Sequence, residues 1–261
     1  MDDIARYNKD RWEDLARNNV EFSRPYLDLT PETALTVVDP YNMLGDIAGK
    51  DILALASGGG QQSVAFTLLG AHTTVFDLSE TQLEKDRTAL AHYKLTARLE
   101  QGDMRDLSRF ANNSFDLVYH AFSINFIPDA SPVFDEIVRV LRPGGLYRLN
   151  WHNPFYAAID ESQWNGTGYT VGQQPYADGE LTWHDGQWEI YDEDGTVRRV
   201  KGPRDFNHTL STVINGLIGR GFTLLGIQEE PSGDPSAPAG SWEHLIAHTP
   251  PWLQLWARLS K

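Results

Sequence analysis

The sequence predicts an α/β fold, Rossmann-like and doubly wound around a mostly parallel sheet, on three observations. Short apolar runs alternate with helical patterns from Asp51 to Trp151, a glycine triplet (Gly58, Gly59, Gly60) closes the first run, and the second ends on Asp77. Strands alternating with helices read as βαβ units, whose crossovers cover both faces of a parallel sheet.

The first strand, 52–56, runs into the glycines, and a helix follows through Val64, Phe66 and Leu69. TTVFD, ending at Asp77, is the second strand; Ser79 and Gln82 form a capping box that opens a helix over 80–93. A third strand near 97–100 leads to Gly102 and Asp103, and FDLVYH, 115–120, is the fourth. Ser131 and Pro132 read as N-cap and first helical residue, ahead of a stripe of Val133, Ile137, Val140 and Leu141. Pro143-Gly144-Gly145 ends that helix, and LYRLNW, 146–151, is the fifth strand.

Residues 1–49 read as an N-terminal helical flap with Ile4, Tyr7, Trp12 and Leu15 on one irregular face. Residues 50–261 read as one domain, with an antiparallel β cap inserted at about 155–205. There LTWH, QWEIYDE and TVRRV surround two Asp-Gly pairs, 185–186 and 194–195, a strong hairpin signal. A helix over 210–218, a strand FTLLGIQE and two closing strands, WEHLIAH and WLQLWARL, complete the order.

The bulk numbers exclude several functions. The 261 residues contain no cysteine, which removes disulfides, thiolate metal sites and cysteine nucleophiles, and suits a cytoplasmic protein. A net charge of −14 with no basic block argues against a nucleic-acid partner, which demands phosphate neutralisation. No apolar run reaches the roughly 20 residues of a membrane span, and the N-terminus is too charged for a signal peptide. No HExxH or carboxylate–histidine cluster has ligand spacing, so no metal is expected.

In open α/β sheets ligands bind beyond the carboxyl ends of the strands. The residues there are Ala56, Ser57 and the glycines; Asp77 and Leu78; Asp103 and Met104; His120 and Ala121; and Asn150, Trp151 and His152. Asp77 stands at the spacing from the glycines at which a carboxylate accepts ribose hydroxyls. Each signal has a plain alternative: a tight turn, a helix cap, or packing. Their joint order at successive strand ends points to a nucleoside. A nicotinamide cofactor fits poorly, because the third glycine position of its fingerprint is Ser63 and no Tyr-x-x-x-Lys pair occurs. No Gly-Lys-Ser/Thr follows the glycines to make a P-loop.

From Asp51 to Trp151 the chain resembles the class I S-adenosylmethionine-dependent methyltransferases, in the small-molecule group related to quinone methyltransferases. The resemblance runs through the glycine loop, Asp77, GDMRDL at 102–107, FDLVYHAFSINFIPD at 115–129 and VLRPGGLYRLN at 140–150. It implies a seven-stranded sheet with its last strand antiparallel, and S-adenosyl-L-methionine as cofactor. The cofactor would lie on Ala56, Ser57, Gly58, Gly60 and Gln62, with Asp77 and Leu78 at the ribose, Asp103 and Met104 at the adenine, and His120 and Ala121 near the sulfonium. The family's acid and glycine on the first strand are here Ala54 and Ala56, and the amide of Gln61 or Gln62 is a candidate substitute for the acid.

Methyl transfer from a sulfonium needs positioning first and, for an acceptor that sheds a proton, a base. His120 and His152 are the candidate bases, with a structural hydrogen-bonding role as the alternative for each. Tyr7, Trp12, Asn125, Trp151 and Trp164 are candidate walls for a small-molecule acceptor, or packing between cap and sheet. NPFY at 153–156 resembles the tetrad of amino-group methyltransferases but trails the fifth strand rather than the fourth, which counts against DNA methylation. The rival readings are a non-catalytic module that binds S-adenosylmethionine and a nicotinamide-dependent oxidoreductase.

Overall fold

The structure is a computed structural model and describes residues 1–172, 175–181, 186–191, 196–230 and 232–260. The N-terminal segment forms α1 (Asp3–Arg17), a 3₁₀ turn (Glu21–Ser23) and α2 (Pro31–Val38). The alternating part follows as β1 (Asp51–Leu55), α3 (Gln62–Leu68), β2 (His72–Asp77), α4 (Glu80–His92), β3 (Arg98–Gln101), β4 (Phe115–His120), α5 (Ser131–Val140) and β5 (Leu141–His152). The insertion contains α6 (Pro154–Ala157), β6 (Ile159–Trp164), β7 (Tyr169–Val171), β8 (Gly179–Glu180), β9 (Gln187–Tyr191), β10 (Val197–Lys201) and β11 (Phe206–Asn207). The chain closes with α7 (Leu210–Ile218), β12 (Phe222–Glu229), α8 (Trp242–His248) and β13 (Trp252–Leu259).

Seven strands form one sheet in the order β12-β13-β5-β4-β1-β2-β3. The five from β5 to β3 are parallel, and β13 runs antiparallel between β12 and β5. Strand order reverses between β1 and β4, so the crevice for a ligand opens beyond their carboxyl ends. The central strands β1 and β4 read as mostly apolar runs because helices cover both faces. On one face Leu53, Leu55, Tyr147, Leu149 and Trp151 pack against α5 and α7. On the other, Ile52, Tyr119 and Trp256 pack against α2 and against Phe66 of α3. Each large side chain buried this way stabilises the fold by about 1.5–3 kcal/mol.

Four expectations change. WEHLIAH is the helix α8, capped by Ser241, whose hydroxyl accepts from the amide of His244. Ser131 is the first residue of α5 rather than its cap, and its amide donates to Asp129 Oδ1. The Ser79–Gln82 box is half formed: Ser79 Oγ accepts from the Gln82 amide, while the Gln82 carbonyl oxygen is buried with no partner beside the glycine loop. In the cap, β9 and β10 pair antiparallel, but the insertion also carries the pairs β6–β7 and β8–β11. The Asp194-Gly195 turn, Asp185 and most of LTWH lie outside the described residues.

Candidate active site

The glycine triplet is a consequence of close approach. A β-carbon on Gly58 would stand 2.6 Å from Gln82 Cβ, and one on Gly60, whose φ is +82°, 2.8 Å from Ala89 Cβ. Only bare backbone lets α4 come this near the loop after β1. The amides of the triplet point into the protein: Gly58 donates to Asp77 Oδ2 (2.9 Å), Gly59 to Asp86 Oδ2 and Gly60 to Asp86 Oδ1 (both 3.0 Å). Ser63 Oγ adds a 2.5 Å bond to Asp86 Oδ1. The glycine amides are therefore not left bare for a ligand, because two carboxylates already take them. Ser57 is buried and its hydroxyl donates to Gln62 Oε1, which ties the loop to the start of α3.

Burial raises the carboxyl of Asp77 to about 6, and the charge of Glu13 adds to the effect against the hydrogen bonds from Ser79 and Gly58. Burial likewise raises Asp86 to about 7, with Asp77 adding repulsion and the bonds from Ser63, Gly59 and Gly60 opposing. Asp77 also accepts from the Ser79 amide, and the Leu78 carbonyl accepts from Gln101. Asp103 is gripped by the guanidinium of Arg105, which reaches on to Asp2 at the start of α1. Met104 is buried beneath, its sulfur 3.9 Å from Ser123 Oγ. At the other end of α1, Glu13 accepts from the amides of Glu80 and Thr81. α1 is thus latched to the loops after β2 and β3, the predicted ribose and adenine positions.

The two candidate bases differ sharply. His120 is fully buried, with Nδ1 2.9 Å from the Tyr147 hydroxyl and Nε2 2.8 Å from Ser123 Oγ. Burial, aided by the charge of Arg148, lowers its pKa to about 3, so the ring is neutral and both nitrogens are engaged. His152, at the end of β5, has Nε2 2.7 Å from Asp205 Oδ2, while its Nδ1 is buried with no hydrogen-bond partner. An ionised carboxylate on Nε2 fixes the tautomer with the proton there and leaves the Nδ1 lone pair free. The His152 ring meets Phe122 edge-on at 4.8 Å between centroids, with Tyr156 at 6.3 Å.

Of the predicted acceptor walls, Asn125 lies beside His152. It accepts from the His152 amide and donates to the Phe206 carbonyl, so both ends of its side chain are committed. Trp12 packs in an aromatic group with Phe22, Phe126 and Trp188, at centroid distances of 5.1–5.8 Å. Tyr7 sits between Arg11 and Lys201 at the α1–cap contact. Trp164 belongs to a separate cluster with Tyr169 and His244. Trp151 is corrected: strand alternation turns it into the core with no exposed surface, not onto a pocket wall. Ala121, partly buried after β4, accepts from Ser123 through its carbonyl.

Residues absent from the sequence reading complete the site. Asp86 holds the glycine loop, Asp205 orients His152, and His208 Nε2 lies 3.0 Å from the carbonyls of Ile124 and Ile127. Asn8 of α1 donates to the Phe126 carbonyl and accepts from the Arg204 amide, so flap, cap and β4 loop make one wall. Asp86 had a legible signal, as a carboxylate on the apolar stripe Leu83, Ala89, Leu90 of α4. Asp205 had none, since it reaches His152 from 53 residues away. Among the described residues no group of three or more His, Asp or Glu could hold a metal ion, and no helix is long and apolar enough to cross a membrane.

A seven-stranded sheet of this order, with β13 antiparallel and a carboxylate at the β2 tip beside a glycine loop, defines the class I methyltransferase fold. Comparison with known proteins agrees. Residues 53–149 match the methyltransferase domain family. The chain is 34% identical over 196 residues to the uncharacterized methyltransferase YbaJ of Bacillus subtilis, spanning 74% of each chain. It is 40% identical over 101 residues to the demethylmenaquinone methyltransferase of Clavibacter sepedonicus, 38% of this chain and 40% of that one. An S-adenosylmethionine-dependent methyltransferase from Mesorhizobium loti shares the fold with a TM-score of 0.66 at 24% identity, over 89% of this chain and 100% of that one. The chain belongs to the class I S-adenosylmethionine-dependent methyltransferases, and S-adenosylmethionine is its cofactor.

Proposed function

We propose that this methyltransferase acts on a small, flat molecule whose accepting atom sheds a proton, and that His152 takes that proton. The observation that carries the reading is the His152–Asp205 pair: one ring nitrogen is held by a carboxylate and the other is buried with nothing to bond. Phe122 and Tyr156 lie against this ring and Trp252 against Phe122, an aromatic surround suited to a planar acceptor. The net charge of −14 disfavours nucleic acid, and the cysteine-free composition is consistent with the cytoplasm.

The residues present fit the cofactor. Each oxygen of Asp77 is used once and keeps a lone pair for a ribose hydroxyl, and the orphaned Gln82 oxygen beside Gly59 offers a further acceptor. Asp103, Leu78 and Met104 would border the adenine, and Ser57, Gln62, Ala56 and Ala121 the methionyl end. When bound, S-adenosylmethionine supplies a methyl group on a positively charged sulfur. His152 Nδ1 accepts the proton that the acceptor loses, and Asp205, on Nε2–H, neutralises the imidazolium that forms. His120 holds the end of β4 through Tyr147 and Ser123, a positioning role rather than that of a base.

The test is label transfer. Purified protein is incubated with methyl-labelled S-adenosylmethionine and a panel of small phenols, amines and carbon acids, plus a small-molecule extract of the source cells. Binding of S-adenosylhomocysteine is followed by calorimetry. Labelled small-molecule product supports the reading; cofactor binding with no labelled product in panel or extract favours the non-catalytic module.

A further inference from the structure

We infer that Asp86 of α4 shapes the glycine loop for the cofactor, as a positioning carboxylate that takes the place of the acid missing from β1. This rests on the loop at 57–60 being the cofactor's seat. The β1 position where the resemblance leads one to expect an acid is Ala54, fully buried in an apolar cluster with Val75 and Leu83. A carboxylate could not be solvated there. One does reach the same loop from the neighbouring helix: Asp86, with no exposed surface, accepts from Gly59, Gly60 and Ser63 through both of its oxygens.

Burying a carboxylate costs several kcal/mol unless its hydrogen bonds repay it. The three groups repaying here lie within five residues of one loop. Nothing on α4 itself requires the charge, because Asp86 lies past the first turn, whose amides are taken by Glu13 and Ser79. The close packing that forces glycine at 58 and 60 comes from the same helix, through Gln82 and Ala89. Loop and helix therefore form one device in which α4 draws the triplet's amides backward and fixes the forward face of the loop.

The surroundings make this device sensitive to protons. Asp77 at the β2 tip repels the charge of Asp86, and Glu13 of α1 in turn repels Asp77. On α4 itself Lys85 is turned away to Asn19, where the charge of Arg24 acts on it. With its carboxyl raised to about 7, Asp86 protonates as the pH falls through neutrality and loses an acceptor, which loosens the loop.

Asp86→Asn tests the inference. Calorimetry with S-adenosylhomocysteine at pH 8 should show at least about tenfold weaker binding than wild type, the loss expected for a charged acceptor shared by three donors. Wild-type affinity should also fall between pH 8 and 6.5, a fall that the variant lacks in that interval. Affinity matching wild type, or a weakened variant that keeps the wild-type pH profile, would overturn the inference, the latter because the carboxylate would then only support the fold. Should Asp86→Asn fail to melt cooperatively, Ser63→Ala removes one of the three bonds; about two- to tenfold weaker binding supports the anchor and unchanged binding refutes it. Wild-type protein that binds no S-adenosylhomocysteine at any pH would instead refute the placement of the cofactor on the loop.

Discussion

The tips of β4 and β5 each carry a histidine, and their surroundings assign them opposite work. At the β4 tip, His120 is sealed between Tyr147 and Ser123, neutral and with both nitrogens engaged. At the β5 tip, His152 is held on one side by Asp205 and has a nitrogen to spare. Strand alternation is the cause. His120 falls in the row of Leu55 and Leu149 that faces the core under α5, whereas His152 lies on the opposite face, where the cap supplies a carboxylate. Position along a strand gives a side chain reach; the face it occupies decides its chemistry.

The comparison breaks most readily at His152. His152→Gln should lower kcat by about 10²–10⁴-fold while leaving S-adenosylhomocysteine affinity unchanged by calorimetry. Asp205→Asn should act in the same direction by a smaller factor, since it disturbs the tautomer and not the base itself. A kcat loss for His152→Gln no greater than that of His120→Gln would erase the distinction between the two tips.

His120→Gln is the converse substitution, with its effect mainly on stability. Orphaning a buried partner costs about 1–3 kcal/mol, visible as a lower melting temperature. The pH dependence carries a sign. The folded pKa of His120 is lowered to about 3 from 6.5, so the unfolded chain takes up the proton first. Its contribution to stability is complete above about pH 6.5 and is lost as the pH falls toward 3. Asp86 and Asp77, raised to about 7 and 6, act the other way: the folded state protonates first, and both add stability as the pH falls toward 4. The wild-type profile is therefore flattened, and the penalty of His120→Gln should shrink from pH 7 to pH 4 in denaturant titrations. A constant penalty would mean that His120 takes up its proton as readily in the folded protein as in the unfolded chain.

The strand ends that carry the glycine loop, Asp77 and Asp103 were legible because their signals are local. The glycine triplet, Asp77 and Asp103-Met104 follow β1, β2 and β3 in turn, and βαβ order does the rest. What the local pattern cannot carry is the direction of a hydrogen bond. The glycine loop at 58–60 is read as a seat for the cofactor, but two carboxylates, one of them 26 residues on, turn its amides inward. On the cap side the contacts are all distant: Asp205 with His152, Asn8 with Phe126, His208 with Ile124. Trp151 was misplaced because an isolated tryptophan at a strand end gives no hint of its face until the register with β4 and β13 is known.

The contrast between position and surroundings extends, at its weakest, to the β1 tip. Ala56 occupies a site where the resemblance leads one to expect glycine, and it does adopt the left-handed region, with φ at 47°. Left-handed backbone costs an alanine about 1–2 kcal/mol. Against this, a glycine gives up about 0.5–1 kcal/mol in chain entropy and a buried methyl worth about 0.8 kcal/mol. Its methyl is packed against the core that includes Leu55 and Phe76, and its amide bond to the Phe76 carbonyl, 2.7 Å, survives the exchange. The terms nearly cancel, so Ala56→Gly should change stability by less than about 1 kcal/mol and leave S-adenosylhomocysteine binding intact. A much larger gain on melting would mean that the methyl is not packed as seen, and that the β1 tip, unlike the other two, is governed by backbone strain rather than by its neighbours.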